Sequence, residues 1–297
     1  MAVIILDGVA AGGVSAYALT DIAKVRAVTG ITVAMIGDDT LGFMIDSVTS
    51  ALESECDRHF IARDYSEWLD GSGMRYQSID EWPLNSVSRV TIGALDAISV
   101  TCNDPLATEA YAEVNMAGTM LRLTILDGAN AGTVDLSFAA YKTIAELAAE
   151  VSATAGGWTG LALSAYGGYR SAVLRPCGRR ECYGNQAYFQ MPDEGEADYN
   201  VDYEYGQILL LAGARFPRGL RNVYSEYNAG YATAPKALEL ICIELVAQTY
   251  RTNARDMTLK SESLGDYSWT AADFTGSFDL SSDAMQRRLA PFKNNII

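Results

Sequence analysis

Apolar residues at Leu41, Met44, Ile45, Val48, Leu52 and Cys56 recur at the i, i+3, i+4, i+7 spacing of an amphipathic helix. The acidic pair Asp38 and Asp39 stands where either residue can cap its start. A shorter helix is predicted from Thr20 or Asp21, carrying Ile22, Val25 and Val28 and ended by Gly30. The longest periodic element opens at Pro235 and runs through Leu238, Ile241, Cys242, Leu245, Val246 and Thr249. It is expected to pack against the helix that begins near Asp38. Between these helices the period changes to two. From Tyr65 the chain reads as short antiparallel strands, with Gly71-Ser72-Gly73 as a hairpin turn and Trp82-Pro83 as a break. TMLRLTILDGANAGTVDLSF gives two alternating segments around Asp127-Gly128 and Gly132. Thr143 to Val151 then fits a helix through Ile144, Leu147, Ala148 and Val151, and GGWTGLALSAY, YGQILLLAG and LRNVYSEYNAGYA read as further strands.

These elements predict an α+β fold: a helical bundle core with a β-rich protrusion and an inserted small α+β domain. Residues 1–103 hold the N-terminal helices and a β-hairpin of the core, 104–192 the inserted α+β domain, and 193–256 the strands and long helix that complete the core. Residues 257–297 form a weakly patterned C-terminal tail of the kind that a partner orders, with a short helix from Ser281 to Leu289 and a mildly basic end at Arg287, Arg288 and Lys293.

Charge narrows the range of partners. The chain has 22 basic and 37 acidic side chains, a net charge of −15, which repels nucleic acid at long range and argues against sequence-specific DNA binding. An acidic wall is compatible with a channel in which a duplex must slide rather than stick. The 17 tyrosines suit surfaces that are both apolar and hydrogen-bonding, as subunit interfaces are. MAVIILDGVAAGG lacks a basic leader and is interrupted by Asp7, so it does not read as a secretory signal, and no apolar run is long enough to predict a membrane span. Synthesis in a cytoplasm is expected. Five irregularly spaced cysteines read as mostly reduced thiols.

Candidate chemistry is sparse. His59 is the single histidine, and with Cys56 it forms half of a zinc pattern that no second pair completes. Cys177 and Cys182 allow a strained disulfide or a metal clip, against two free thiols on a loop. Arg170, Arg175, Arg179 and Arg180 form a local basic patch that either faces phosphate or acidic groups or is simply solvated. No phosphate-binding glycine motif occurs, and carboxylate pairs such as Asp38/Asp39 or Asp80/Glu81 read as caps and solvated faces. No catalytic residue, cofactor or metal is assigned, and no enzyme activity is expected.

Four segments, in order, resemble the head–tail connector (adaptor) family of tailed bacteriophages. DDTLGFMIDSVTSALESECDRHF (38 to 60) is similar to its opening helix with an arginine and an aromatic at the exit. YSEWLDGSG (65 to 73) and WPLNSVSRVTI (82 to 92) resemble its aromatic-Asp-Gly-x-Gly turn and Pro-x-x-Ser-Val strand. NVYSEYNAGYATAPKALELICIELVAQTYRTNARD (222 to 256) has the family's strand, Ala-Gly-Tyr turn, proline and long helix, and LKSESLGDYSWT (259 to 270) resembles its Ser-Glu-x-x-Gly-Asp-Tyr-Ser element. The stretch from 104 to 192 departs from the family, whose members have a much shorter connection there.

The resemblance implies a structural virion subunit made in the host bacterial cytoplasm. It would form a ring of twelve under the portal protein, extend the DNA channel, and present a surface to a downstream neck, stopper or tail protein. DNA would pass through without specific contacts, and no membrane is involved. The resemblance implies a C-terminal tail that docks on the portal, and the intersubunit or portal contact is expected at Gly265, Asp266, Tyr267, Trp269, Arg287 and Arg288, against the alternative that the element around Gly265 to Trp269 simply caps the long helix. Two rivals are a tail-completion, decoration or fibre-attachment protein, and a phage hydrolase using carboxylates such as Asp127 or Glu146.

Overall fold

The structure, a computed structural model, describes residues 3–4, 14–203, 205–253, 261–264, 267–270 and 280–293. The helices are α1 (Ile22–Thr29), α2 (Asp38–Cys56), α3 (Ile144–Ala153), α4 (Lys236–Asn253) and α5 (Asp283–Leu289). Chain contacts define two compact units: unit 1 is Met1–Ile5, Arg63–Ile79 and Pro83–Ala229, and unit 2 is Leu6–Ala62, Asp80–Trp82 and Gly230–Ile297.

Unit 1 holds β1 (Val3–Ile4), β2 (Arg63–Gly71), β3 (Tyr76–Ser78), β4 (Leu84–Ile92), β5 (Ala94–Cys102), β6 (Ala110–Val114), β7 (Met120–Ile125) and β8 (Gly132–Ser137). After α3 follow β9 (Trp158–Ala162), β10 (Cys177–Glu181), β11 (Ala187–Pro192), β12 (Tyr199–Asp202), β13 (Gln207–Leu210) and β14 (Gly219–Ala229). They pair into four sheets, ordered β1-β2-β14-β4, β10-β6-β7-β8, β11-β5-β9 and β12-β13-β3, with neighbouring strands antiparallel in each. One core collects Ile98, Val100, Leu121, Leu123 and Phe189 from the strands with Ile144, Leu147 and Val151 of α3. A second joins Tyr65, Leu69, Val90, Ile208, Phe216 and Val223, where the Tyr65 and Tyr227 rings stack at 5.1 Å. α3 starts with a full capping box: the Thr143 hydroxyl accepts from Glu146 N while Glu146 accepts from Thr143 N.

In unit 2 the apolar stripe of α2 (Leu41, Ile45, Val48, Leu52) shares a core with Leu238, Ile241, Cys242 and Leu245 of α4, joined by Val25 of α1 and Leu289 of α5. Burying each such side chain contributes about 1.5–3 kcal/mol. Asp21 caps α1 by accepting from Lys24 N, and Gly30 ends it in the left-handed region at φ 74°. Strands β15 (Ser261–Leu264) and β16 (Tyr267–Thr270) pair antiparallel.

Four expectations are corrected. The core of the chain is not a helical bundle: the described residues are β-rich, with 35% strand and 28% helix. The alternating stretches between 63 and 229 pair over long sequence separations and bury two cores of their own, while only α2 and α4 are long helices with a shared apolar face. Gly71-Ser72-Gly73 is not a hairpin turn, because β2 pairs with β1 and β14 whereas β3 pairs with β13. Its glycines serve a close approach instead: a Cβ on Gly71 would lie 1.9 Å from the Pro217 carbonyl oxygen. Neither Asp38 nor Asp39 caps α2. Gly37 holds that position, both acids lie in the first turn where the helix dipole favours them, and Asp38 pairs with Arg26 at 2.6 Å. Cys177 and Cys182 do not share a loop; the first opens β10 and the second follows it in the core, and both thiols are free.

Candidate functional site

The most distinctive side-chain constellation lies where α2 ends. Asp57 terminates the helix at φ 52°, donating its N–H to Glu53 O and Ser54 O, and the turn directs Arg58 into unit 2. Arg58 is 3% exposed. Its guanidinium carbon lies 3.6 Å from the Trp82 ring centroid, with Tyr231 at 5.3 Å and Phe60 at 5.5 Å, and it donates a hydrogen bond to the Trp82 carbonyl. Burial pulls its pKa below the usual arginine value. Arg58 Nε and Nη1 have no hydrogen-bond partner, and the desolvation of this cation is opposed by attraction to Tyr231 and Glu81 together with the aromatic faces around it.

The neighbours of Arg58 are fixed by polar contacts. Glu81 accepts from His59 N at 3.0 Å and lies 2.8 Å from His59 Nδ1, and Glu53 accepts from Phe60 N. Tyr231 is pinned by backbone bonds, its N–H donating to Phe60 O and its carbonyl accepting from Ala62 N. Gly230, at φ 113°, allows this approach, since a Cβ there would come within 2.8 Å of Ala62 N. Three segments far apart in sequence thus meet in one cluster: 57–62, 80–82 and 230–231. His59 has a carboxylate partner, and among the described residues no group of three or more His, Cys, Asp or Glu side chains is placed to hold a metal.

A second feature of unit 2 is a groove of about 670 Å³ between α1 and α4, lined by Val28, Ile243, Ala247, Gln248, Arg251 and neighbours. Val28 is 61% exposed, and on the same unit Val33, Met35 and Phe43 are exposed at 66%, 60% and 72%. The sequence pattern counts Val28 with Ile22 and Val25 on the apolar side of α1, yet Val28 faces out while Val25 is buried, and that pattern assigns no role to Val33, Met35 or Phe43. A usable signal was present at Phe43, an aromatic residue off the Leu41, Met44, Ile45, Val48 stripe of its own helix.

The residues expected to make the contact with portal or neighbour fall in different places. Gly265 and Asp266 lie outside the described residues. Tyr267 and Trp269 are on β16, opposite Leu264 and Glu262. Arg287 and Arg288 are in the last turn of α5, where Arg287 is exposed and Arg288 pairs with Glu244 of α4 at 2.6 Å. α5 is further held by Gln286 and by Lys293 beyond it, both of which donate to Glu55 of α2. That engagement, Lys293 foremost, holds the Glu55 carboxyl below the usual range.

In unit 1 the basic patch is largely engaged. Arg170 pairs with Glu226 at 2.8 Å, Arg175 donates to Gln190 and Leu220 O, Arg179 lies 3.9 Å from Glu113, and Arg180 donates to Tyr188 O. Asp127 accepts from the Thr108 backbone and hydroxyl, which lowers its pKa, and Glu146 closes the α3 capping box. Both carboxylates of the hydrolase alternative therefore hold local backbone. Among the described residues no helix is long and apolar enough to cross a membrane.

No protein-family model matches the chain, and no curated protein matches it. Among the solved structures that are similar are two chains from neck particles. One is a chain from the neck of an empty GTA particle computed with C6 symmetry, with 13% identity and a TM-score of 0.40, covering 94% of this chain and 91% of that one. The other is from the neck of a native GTA particle computed with C12 symmetry, with 11% identity and a TM-score of 0.42, covering 100% of this chain and 97% of that one.

Proposed function

We propose that this chain is a non-catalytic head–tail connector (adaptor) subunit of a tailed bacteriophage, one member of a twelve-fold ring beneath the portal. The observation that carries the reading is where the family-like segments fall. Residues 65–73, 82–92 and 222–229 are scattered along the chain, yet they lie in β2, β4 and β14, adjacent in one sheet. In unit 2 the exit of the 38–60 segment, Trp82, and the Ala-Gly-Tyr turn at 229–231 supply the Arg58 cluster, while α2 and α4 share a core. Short motifs that resemble one family in order are here mutually packed parts, as a common scaffold requires, and this supports the reading.

In this reading the net charge of −15 keeps duplex DNA from adhering to the channel wall. The C-terminal stretch, with Gly265, Asp266, Tyr267, Trp269, Arg287 and Arg288, contacts the portal or the neighbouring subunit. Negative-stain electron microscopy of the protein mixed with the portal protein of the same phage tests the assignment. Coaxial rings docked on portal particles are expected. Unchanged portal particles, with the protein decorating tails or capsids instead, would overturn it in favour of a tail-completion or decoration role.

A further inference from the structure

We propose that the groove between α1 and α4 is the socket of a head-to-tail contact with a second copy of this chain, whose Phe43 enters it while Asp39 meets Arg251. The inference deepens the ring reading and rests on it for the claim that copies are neighbours. Phe43 is 72% exposed on the first half of α2, and Met35 and Val33, in the turn that precedes this helix in sequence, are exposed as well. A soluble chain that leaves such a group of large apolar side chains uncovered is marked there for a partner.

The groove offers Val28, Ile243 and Ala247 as an apolar floor, and Phe43 is not among the residues that line it. Knob and socket are thus different patches of one unit, the requirement for a contact that repeats around a ring. Charge selects the same occupant. Asp39 and Phe43 are four residues apart and share a helix face. Arg251 stands exposed on the groove wall with no carboxylate within salt-bridge range among the described residues, whereas the other charged lining residue, Glu244, is already paired with Arg288. In a chain with 37 acids and 22 bases, an uncommitted cation beside an apolar floor fits an acid-flanked aromatic, and this chain carries one.

Sedimentation velocity of the full-length protein tests the contact, with circular dichroism confirming that each variant folds. Phe43→Asp, on the exposed knob, and Val28→Asp, on the exposed floor, are each expected to weaken self-association roughly 30-fold or more, as loss of an aromatic anchor does. An equimolar mixture of the two should form pairs and stop, because one intact knob and one intact socket remain. Asp39→Arg and Arg251→Asp should each weaken association, and the double reversal should recover most of it. A monomeric wild type, or self-association untouched by Phe43→Asp and Val28→Asp, would overturn the proposal; so would variants that lose portal docking but keep self-association, since the occupant would then be the portal. Rings of both variants that still dock on portal particles would sink this contact and leave the connector reading standing. Association lost in both variants, with wild-type rings that ignore the portal, would sink the connector reading and leave the contact.

Discussion

Replacing Arg58 with methionine separates the charge from the volume it fills. Methionine is flexible and apolar and occupies much of the same space, so packing against Phe60, Trp82 and Tyr231 is largely retained. What disappears is the stacking of the guanidinium on Trp82 at 3.6 Å and the hydrogen bond to the Trp82 carbonyl. A desolvated cation–π contact contributes about 2 kcal/mol, and a hydrogen bond from a charged donor about 1.5–3 kcal/mol. Against these stands relief of a buried charge whose Nε and Nη1 lack hydrogen-bond partners, a desolvation cost of several kcal/mol that the ring faces only partly offset. The balance predicts that Arg58→Met destabilises unit 2 by about 1–3 kcal/mol. Arg58→Lys should cost at least as much, since it keeps a buried charge and loses the planar stack. Urea unfolding followed by circular dichroism and tryptophan fluorescence, with separate transitions allowed for the two units, gives the values. A double-mutant cycle with Trp82→Leu should return a coupling of about 1–2 kcal/mol. If Arg58→Met is as stable as the wild type and the coupling vanishes, the cation contributes nothing and the cluster is held by packing alone.

Three further outcomes are expected. The folded pKa of Glu55 is depressed by Lys293, so its contribution is present above the unfolded glutamate value near ~4.3 and is lost as pH falls through the folded value; Glu55→Gln should lower the melting temperature at neutral pH, by the equivalent of less than about 1 kcal/mol for this part-exposed pair, and the difference should vanish in acid, whereas a gap that persists there contradicts the linkage. Gly160→Ala should destabilise unit 1 by about 1–3 kcal/mol, because the added Cβ would lie 2.5 Å from Ala148 O and 2.7 Å from Val151 Cβ of α3; a stable alanine variant in thermal melts would show that α3 can shift. Burial pushes the thiols of Cys56 up to about 11 and of Cys182 and Cys242 up to about 12, so a thiol reagent at mildly alkaline pH should label the partly exposed Cys177 first, and Cys177→Ser should remove the fast phase.

Helices were legible in the sequence because their information is local. The stripe from Leu41 to Cys56, the Ile144, Leu147, Ala148 and Val151 spacing and the run after Pro235 each specify an element within a few turns, and each is a helix in the structure. Strand pairing is not local. β2 lies beside β14, with Leu69 opposite Val223, and nothing near Gly71 announces that its close neighbour is Pro217. Read locally, two glycines around a serine look like a reversal, and two long helices look like a bundle; both readings failed where partners came from far along the chain. The Arg58 cluster shows the same limit. Its residue types were visible, but Trp82 reads as a strand break and Tyr231 as part of a turn until the backbone brings them to one guanidinium.

The pairing of Arg63 with Ala229 in the β2–β14 ladder has a consequence for how the chain is made. α2 ends at Cys56 and α4 begins at Lys236, so about 180 residues separate the two halves of the helical core, and closing a disordered loop of that length costs about 5 kcal/mol. Once β2 and β14 are in register, the same halves hang from adjacent strand ends on tethers of a few residues. The middle of the chain therefore acts as a splint, and the helical core is expected to close after it, late in synthesis. A fault in one strand ladder would then appear as helices that never meet, in a region the fault does not touch.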